Sequence, residues 1–163
     1  MNGNLAHRWF ARLVAATIGI SAINSVLFNG SQLIGGWSFV SLLPLFALFC
    51  SLVGVWGAIE MWRFRPLGWW IAAWFGMFSA LSALAPLLIL GGRPTLDALQ
   101  IGWVLLLCVS LAYLFTPNAM TFYRISAGWR TASLGVLGAA VLCVVLLFAY
   151  PAYFVVRATW FPS

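Results

Sequence analysis

Lysine is absent from the 163 residues, acids number two and histidine one, against eight arginines. Each scarcity removes a class of chemistry. Without lysine there is no Schiff-base nucleophile in the chain. A single histidine, His7, placed before the first apolar run, leaves no pair for bis-histidine haem and no histidine-based zinc set within one chain. The three cysteines, Cys50, Cys108 and Cys143, have no C-x-x-C spacing. Each falls near the middle of an apolar run, where a free cysteine acts as a small apolar group. A catalytic set would have to come from Glu60, Asp97, His7 or these cysteines, which lie at different depths. The chain is therefore expected not to be an enzyme and to carry no cofactor and no metal.

Charge itself is the scarcest property. Charged residues make up 6% of the chain and hydrophobic residues 64%, where a soluble domain carries about 25% charged. A water-soluble fold lacks the polar groups to cover its surface. The arginines, at 8, 12, 63, 65, 93, 124, 130 and 157, stand singly or in pairs between apolar runs. A nucleic-acid binder gathers its basic residues on one face, so no nucleic-acid partner is expected.

A membrane-crossing helix needs about 20 mostly apolar residues. Five stretches qualify, at about 10–28, 38–59, 69–90, 98–115 and 133–156. The expected fold is all-α, a polytopic membrane helix bundle of five transmembrane helices forming a single domain over 1–163. Four spans plus an N-terminal interfacial helix is the alternative. Arg8, Arg12, Arg63, Arg65, Arg124 and Arg130 fall on one side of this arrangement, and only Arg93 and Arg157 on the other. Cytoplasmic loops carry the arginine excess, which predicts a cytoplasmic N-terminus and an external C-terminus. No Ala-x-Ala follows Phe28, so the first run is expected to stay as a span rather than leave as a signal peptide.

Tryptophan placement is consistent with these boundaries, because indoles collect at the two headgroup levels. Trp9, Trp62, Trp69, Trp70 and Trp129 fall at the predicted cytoplasmic ends, and Trp37, Trp103 and Trp160 at the external ends. After the fourth span, Thr116-Pro117 is a helix-start signal. It predicts a short surface helix, with Met120, Phe122, Tyr123 and Trp129 on the acyl boundary and Arg124 and Arg130 meeting phosphates. An ordinary cytoplasmic loop is the other reading.

Small residues four apart permit close helix approach in lipid. Cys50, Gly54 and Ala58 form one such row, Ala72, Gly76 and Ala80 a second, and Gly135, Ala139 and Cys143 a third. All three are expected to pack against neighbouring helices, within the bundle or in another subunit. Thr17, Ser21, Asn24 and Ser25 share one face of the first span, and Asn24 needs a helix, a partner protein or water beside it. Glu60 and Arg63, three apart, are read as a structural ion pair. Asp97 complements the start of the fourth helix. Pro44, Pro86 and Pro151 lie inside spans two, three and five and predict kinks. Trp56, Trp74 and Pro86 are candidate walls of a ligand cavity.

The junction Gly57-Ala58-Ile59-Glu60-Met61-Trp62-Arg63-Phe64-Arg65-Pro66-Leu67-Gly68-Trp69-Trp70, with Tyr113-Leu114-Phe115-Thr116-Pro117 later, resembles a Trp-Arg-x-Arg-Pro-x-Gly-Trp-Trp connection of small uncharacterised bacterial inner-membrane proteins. The resemblance spans roughly residues 10–122. It implies a multi-pass protein of the bacterial inner membrane and no particular activity. The tryptophan-rich, five-span translocator protein family is similar in length, but its Trp-x-Pro-x-Trp segment is missing here, so its porphyrin or sterol binding does not carry over. The expected function is that of a non-catalytic accessory, assembly or scaffolding subunit, partnered by the lipid bilayer and by other membrane subunits or itself. A small carrier or binding protein for an apolar or aromatic molecule is the alternative.

Overall fold

The computed structural model describes residues 3–34, 42–89, 98–126 and 128–160. Among these, every regular element is a helix: α1 (Gly3–Ile34), α2 (Leu42–Trp62), α3 (Pro66–Ile89), α4 (Ala98–Leu114), α5 (Pro117–Phe122) and α6 (Trp129–Trp160). Three stretches, Leu5–Ile34, Pro44–Trp62 and Pro66–Leu84, are long and apolar enough to cross a membrane, and Ile101–Leu114 and Arg130–Leu146 are shorter apolar helices. A helix satisfies its backbone polar groups internally, which hydrocarbon demands.

α1 is longer than the apolar pattern predicts. Its 32 residues span about 48 Å, more than the roughly 30 Å of hydrocarbon. The polar side chains of its C-terminal turns are satisfied on the helix itself: the Asn29 amide donates to the Ser25 carbonyl at 2.7 Å and the Ser31 hydroxyl to the Phe28 carbonyl at 2.7 Å. Pro44 sits in the first turn of α2 rather than inside it. There its missing N–H is one of the unpaired donors of a helix start, so no kink is required. The side chains of Pro86, Trp129, Pro151, Arg157 and Trp160, and all of Trp37, Ser38, Arg93 and Asp97, lie outside the described residues.

α1 and α2 run antiparallel, as do α3 and α4. Arg12 of α1 lies over the Trp62 ring near the end of α2, while Ser25, further along α1, shares a 2.7 Å hydrogen bond with Ser51 in the middle of α2. The start of α3 meets the end of α4 through Trp69 and Leu114. The start of α1, the end of α2, the start of α3, the end of α4 and α5 therefore gather at one end of the bundle. The largest fully buried side chains are Trp69, Tyr123, Phe75, Ile18, Met61 and Leu114. Four of them, Met61, Trp69, Leu114 and Tyr123, belong to that end.

Two of the three small-residue rows pack as expected. Cys50 and Ala58 are buried, and a Cβ on Gly54 would stand 2.6 Å from the Phe75 ring of α3. Ala72 and Ala80 are buried, and Gly76 faces Leu111 of α4. Of the third row only Cys143 packs against the core within the chain. Gly135 and Ala139 are exposed, and nothing lies within 4 Å of a Cβ placed on Gly135. The buried row of α6 is Ala132, Val136 and Ala140, turned about 60° from the expected one. Both rows are small and apolar, so the sequence holds no contrast between them. α5 differs as well. Its Thr116 cap and Pro117 start are as predicted, but Met120 and Tyr123 are buried in the bundle instead of facing acyl chains.

Candidate functional site

The end that collects the arginines is built around the α2–α3 turn. The Arg65 amide donates to the Glu60 carbonyl at 3.0 Å and the Phe64 amide to the Met61 carbonyl at 2.9 Å, the paired bonds of a Schellman stop. That stop needs a left-handed residue, and here it is Phe64, with φ 58°. Glycine is usual at such a position, because an L side chain is strained there by about 1–2 kcal/mol. The Phe64 ring has uses that glycine lacks. It meets Phe122 edge-on at 5.2 Å, and the guanidinium carbons of Arg8 and Arg12 lie 5.9 and 5.6 Å from its centroid.

The turn also folds Arg65 back over the helix it has just left. Glu60, only 5% exposed, receives Arg63 at 3.1 Å on Oε1 and Arg65 at 2.8 Å on Oε2. The Glu60–Arg63 pair is legible from the spacing of three. Arg65 is not, because five residues along a continuing helix would place it on another face. Arg12 is the second residue missed. Its guanidinium carbon lies 5.8 Å from the Trp9 ring and 5.5 Å from the Trp62 ring, a cation held by aromatic faces. Its Nε is buried with no hydrogen-bond partner, and among the described residues no carboxylate pairs with it.

Below this layer, Trp69 donates its indole N–H to the Leu114 carbonyl at 3.0 Å and is fully buried. Thr116 turns the chain after α4 so that Tyr123 comes under the α2 terminus, its hydroxyl 3.5 Å from the Met61 carbonyl. Burial, with a smaller contribution from Tyr113, pushes the Tyr123 phenol well above its ordinary pKa. The fold thus holds the neutral phenol. A raised folded-state value means this stabilisation is complete below about pH 10, the unfolded tyrosine value, and is lost as pH rises past it. The melting temperature in detergent should therefore fall above pH 10 in the native chain. Tyr123→Phe should flatten that alkaline slope while costing about 0.5–1.5 kcal/mol at neutral pH. An unchanged slope in the variant would assign the alkaline loss elsewhere.

Between α1 and α2 lies an open groove of about 330 Å³. Ala15, Gly19 and Ile23 form its α1 wall, and Val55, Ala58, Ile59, Trp62 and Arg63 its α2 wall. Two of the predicted cavity residues, Trp56 and Trp74, are elsewhere. Trp56 is half exposed on α2, and Trp74 stacks on Phe78 of its own helix at 5.9 Å; neither lines the groove. Asn24 is exposed on α1, and its side chain has no hydrogen bond among the described residues. Its neighbours on the polar face divide, with Ser21 buried, Ser25 bonded to Ser51 and Thr17 bonded to the Leu13 carbonyl at 3.0 Å. Cys50 is buried, Cys108 exposed and Cys143 partly buried. Among the described residues no three of His, Cys, Asp and Glu come together.

Comparison with protein-family models, with curated proteins and with solved structures gives no match. The chemistry of the site is therefore read from its side chains alone. They supply guanidinium donors and aromatic faces at one end of an apolar bundle, an arrangement suited to binding anions and to holding a membrane boundary.

Proposed function

We propose that the chain is a five-pass protein of the bacterial inner membrane, N-terminus cytoplasmic and C-terminus external, acting as a non-catalytic accessory or assembly subunit that packs against other membrane proteins or itself. Supporting the orientation are Arg8, Arg12, Arg63, Arg65 and Arg124, which belong to the helix ends gathered on one side of the bundle. An arginine-rich end is retained in the cytoplasm.

The observation that carries the subunit reading is Asn24. It lies twelve residues along α1 from Arg12, about 18 Å into a layer roughly 30 Å thick. An exposed amide at that depth loses its hydrogen bonds unless another chain supplies them. The exposed Gly135 and Ala139 on α6 offer a second close-approach surface.

A photo-crosslinking residue at position 24, introduced in native membranes, should capture a protein, with the same residue at exposed Leu13 capturing lipid only. Asn24→Leu should release that protein from the purified particle. A lone chain whose position 24 labels only lipid overturns the subunit reading.

A further inference from the structure

The α1–α2 groove and the arginine end are continuous. Arg63 and Trp62 close one end of the groove, and Trp62 is also a ring on which the Arg12 guanidinium rests, 5.5 Å from its centroid. From Arg63 the α2 wall runs to Val55, about 12 Å along the helix axis and toward the apolar middle of the bundle. We infer that this groove is a binding site for one anionic phospholipid, with its phosphate at Arg12 and Arg63 and an acyl chain lying against Ala15, Gly19 and Ala58.

The occupant follows from shape and charge together. A second helix, about 10 Å wide with its side chains, does not enter a groove of about 330 Å³; a single acyl chain does. The walls are apolar along their length and end in cations, the polarity profile of one phospholipid molecule. Arg12, half-buried and with no carboxylate beside it among the described residues, lacks an anionic partner where a headgroup would lie. Arg63 spends one nitrogen on Glu60 at 3.1 Å, and its side chain remains 60% exposed. Arg8, Arg12 and Arg63 gather at the mouth of the groove beside the single carboxylate of Glu60, which selects an anionic over a zwitterionic headgroup.

The test is native mass spectrometry of the full chain in mild detergent, titrated with phosphatidylglycerol or with phosphatidylcholine of the same acyl chains. One phosphatidylglycerol should be retained at about tenfold lower concentration than phosphatidylcholine. The double variant Arg12→Gln and Arg63→Gln should erase that preference. Arg124→Gln, which alters an exposed arginine outside the groove, should leave it intact. Ile59→Trp, a change at a rim residue 47% exposed, should fill the groove and lower retention of both lipids about tenfold. Inorganic phosphate should not displace the lipid, because it lacks the chain. Equal retention of the two lipids by the native chain overturns the proposal without any variant. So does an equal loss in Arg124→Gln, full retention in Ile59→Trp, displacement by free phosphate, or a lipid-free dimer.

Discussion

Gly68→Ala is expected to lower the stability of the detergent-solubilised protein by about 3 kcal/mol or more, enough to remove most folded material. The reason is backbone against backbone. A Cβ at Gly68 would collide with the Met61 amide nitrogen and the Glu60 carbonyl carbon, and would stand 2.7 Å from the Met61 Cα. Those atoms belong to the last turn of α2, held by the stop at Phe64. They cannot rotate away as a side chain can. Relief requires α3 to shift from α2 just after the turn that joins them, which pulls Trp69 from the Leu114 carbonyl and Met61 from Tyr123. The comparison variants are Gly30→Ala and Gly135→Ala. A Cβ at either meets nothing within 4 Å, and alanine favours a helix by about 0.5–1 kcal/mol over glycine. Melting temperatures should rank both comparison variants at or above the native chain and Gly68→Ala far below it. A Gly68→Ala protein that melts with the native chain would mean that α3 does not approach the last turn of α2 this closely in solution.

The helical class and the approximate helix positions were legible because they depend on long apolar runs and punctuation. Thr116-Pro117 marked α5, and the apolar run from Phe10 marked the middle of α1. Its full length escaped because polar residues end an apolar pattern without ending a helix; Asn29 and Ser31 bond back to their own backbone. The interior faces were only half legible. In a soluble helix the polar face points outward, but on α6 both the Gly135–Ala139 row and the Ala132–Val136–Ala140 row are compatible with lipid and with packing, and the second is the buried one. At the candidate site, Glu60 and Arg63 were readable from helical spacing. Arg65 joined them only through a left-handed residue, and phenylalanine at position 64 carries no sign of that conformation. Arg12 was readable as an orientation signal. Its seat on Trp9, Trp62 and Phe64 depends on how α1 crosses α2, which spacing within one helix does not encode.

Removing both arginines from Glu60 is the second large expected effect. In the double variant Arg63→Gln and Arg65→Gln, a carboxylate whose side chain is 7% exposed is left without a cation, a loss on the order of 1–3 kcal/mol, discounted because the cations themselves are solvent-screened. The single variants should be milder and unequal. Arg65 makes the shorter contact, 2.8 Å against 3.1 Å, so Arg65→Gln should cost more than Arg63→Gln. Glu60→Gln alone should cost less than the double variant, because the cations it leaves behind, 60% and 62% exposed, can turn to water or phosphate. The decisive arm is rescue. Adding Glu60→Gln to the double variant replaces the stranded charge with a neutral amide of the same shape and should restore most of the lost stability, read as melting temperature in one detergent at fixed salt. If the triple variant is no more stable than the double, the arginines support the turn by packing on Phe64 and its neighbours rather than by neutralising Glu60.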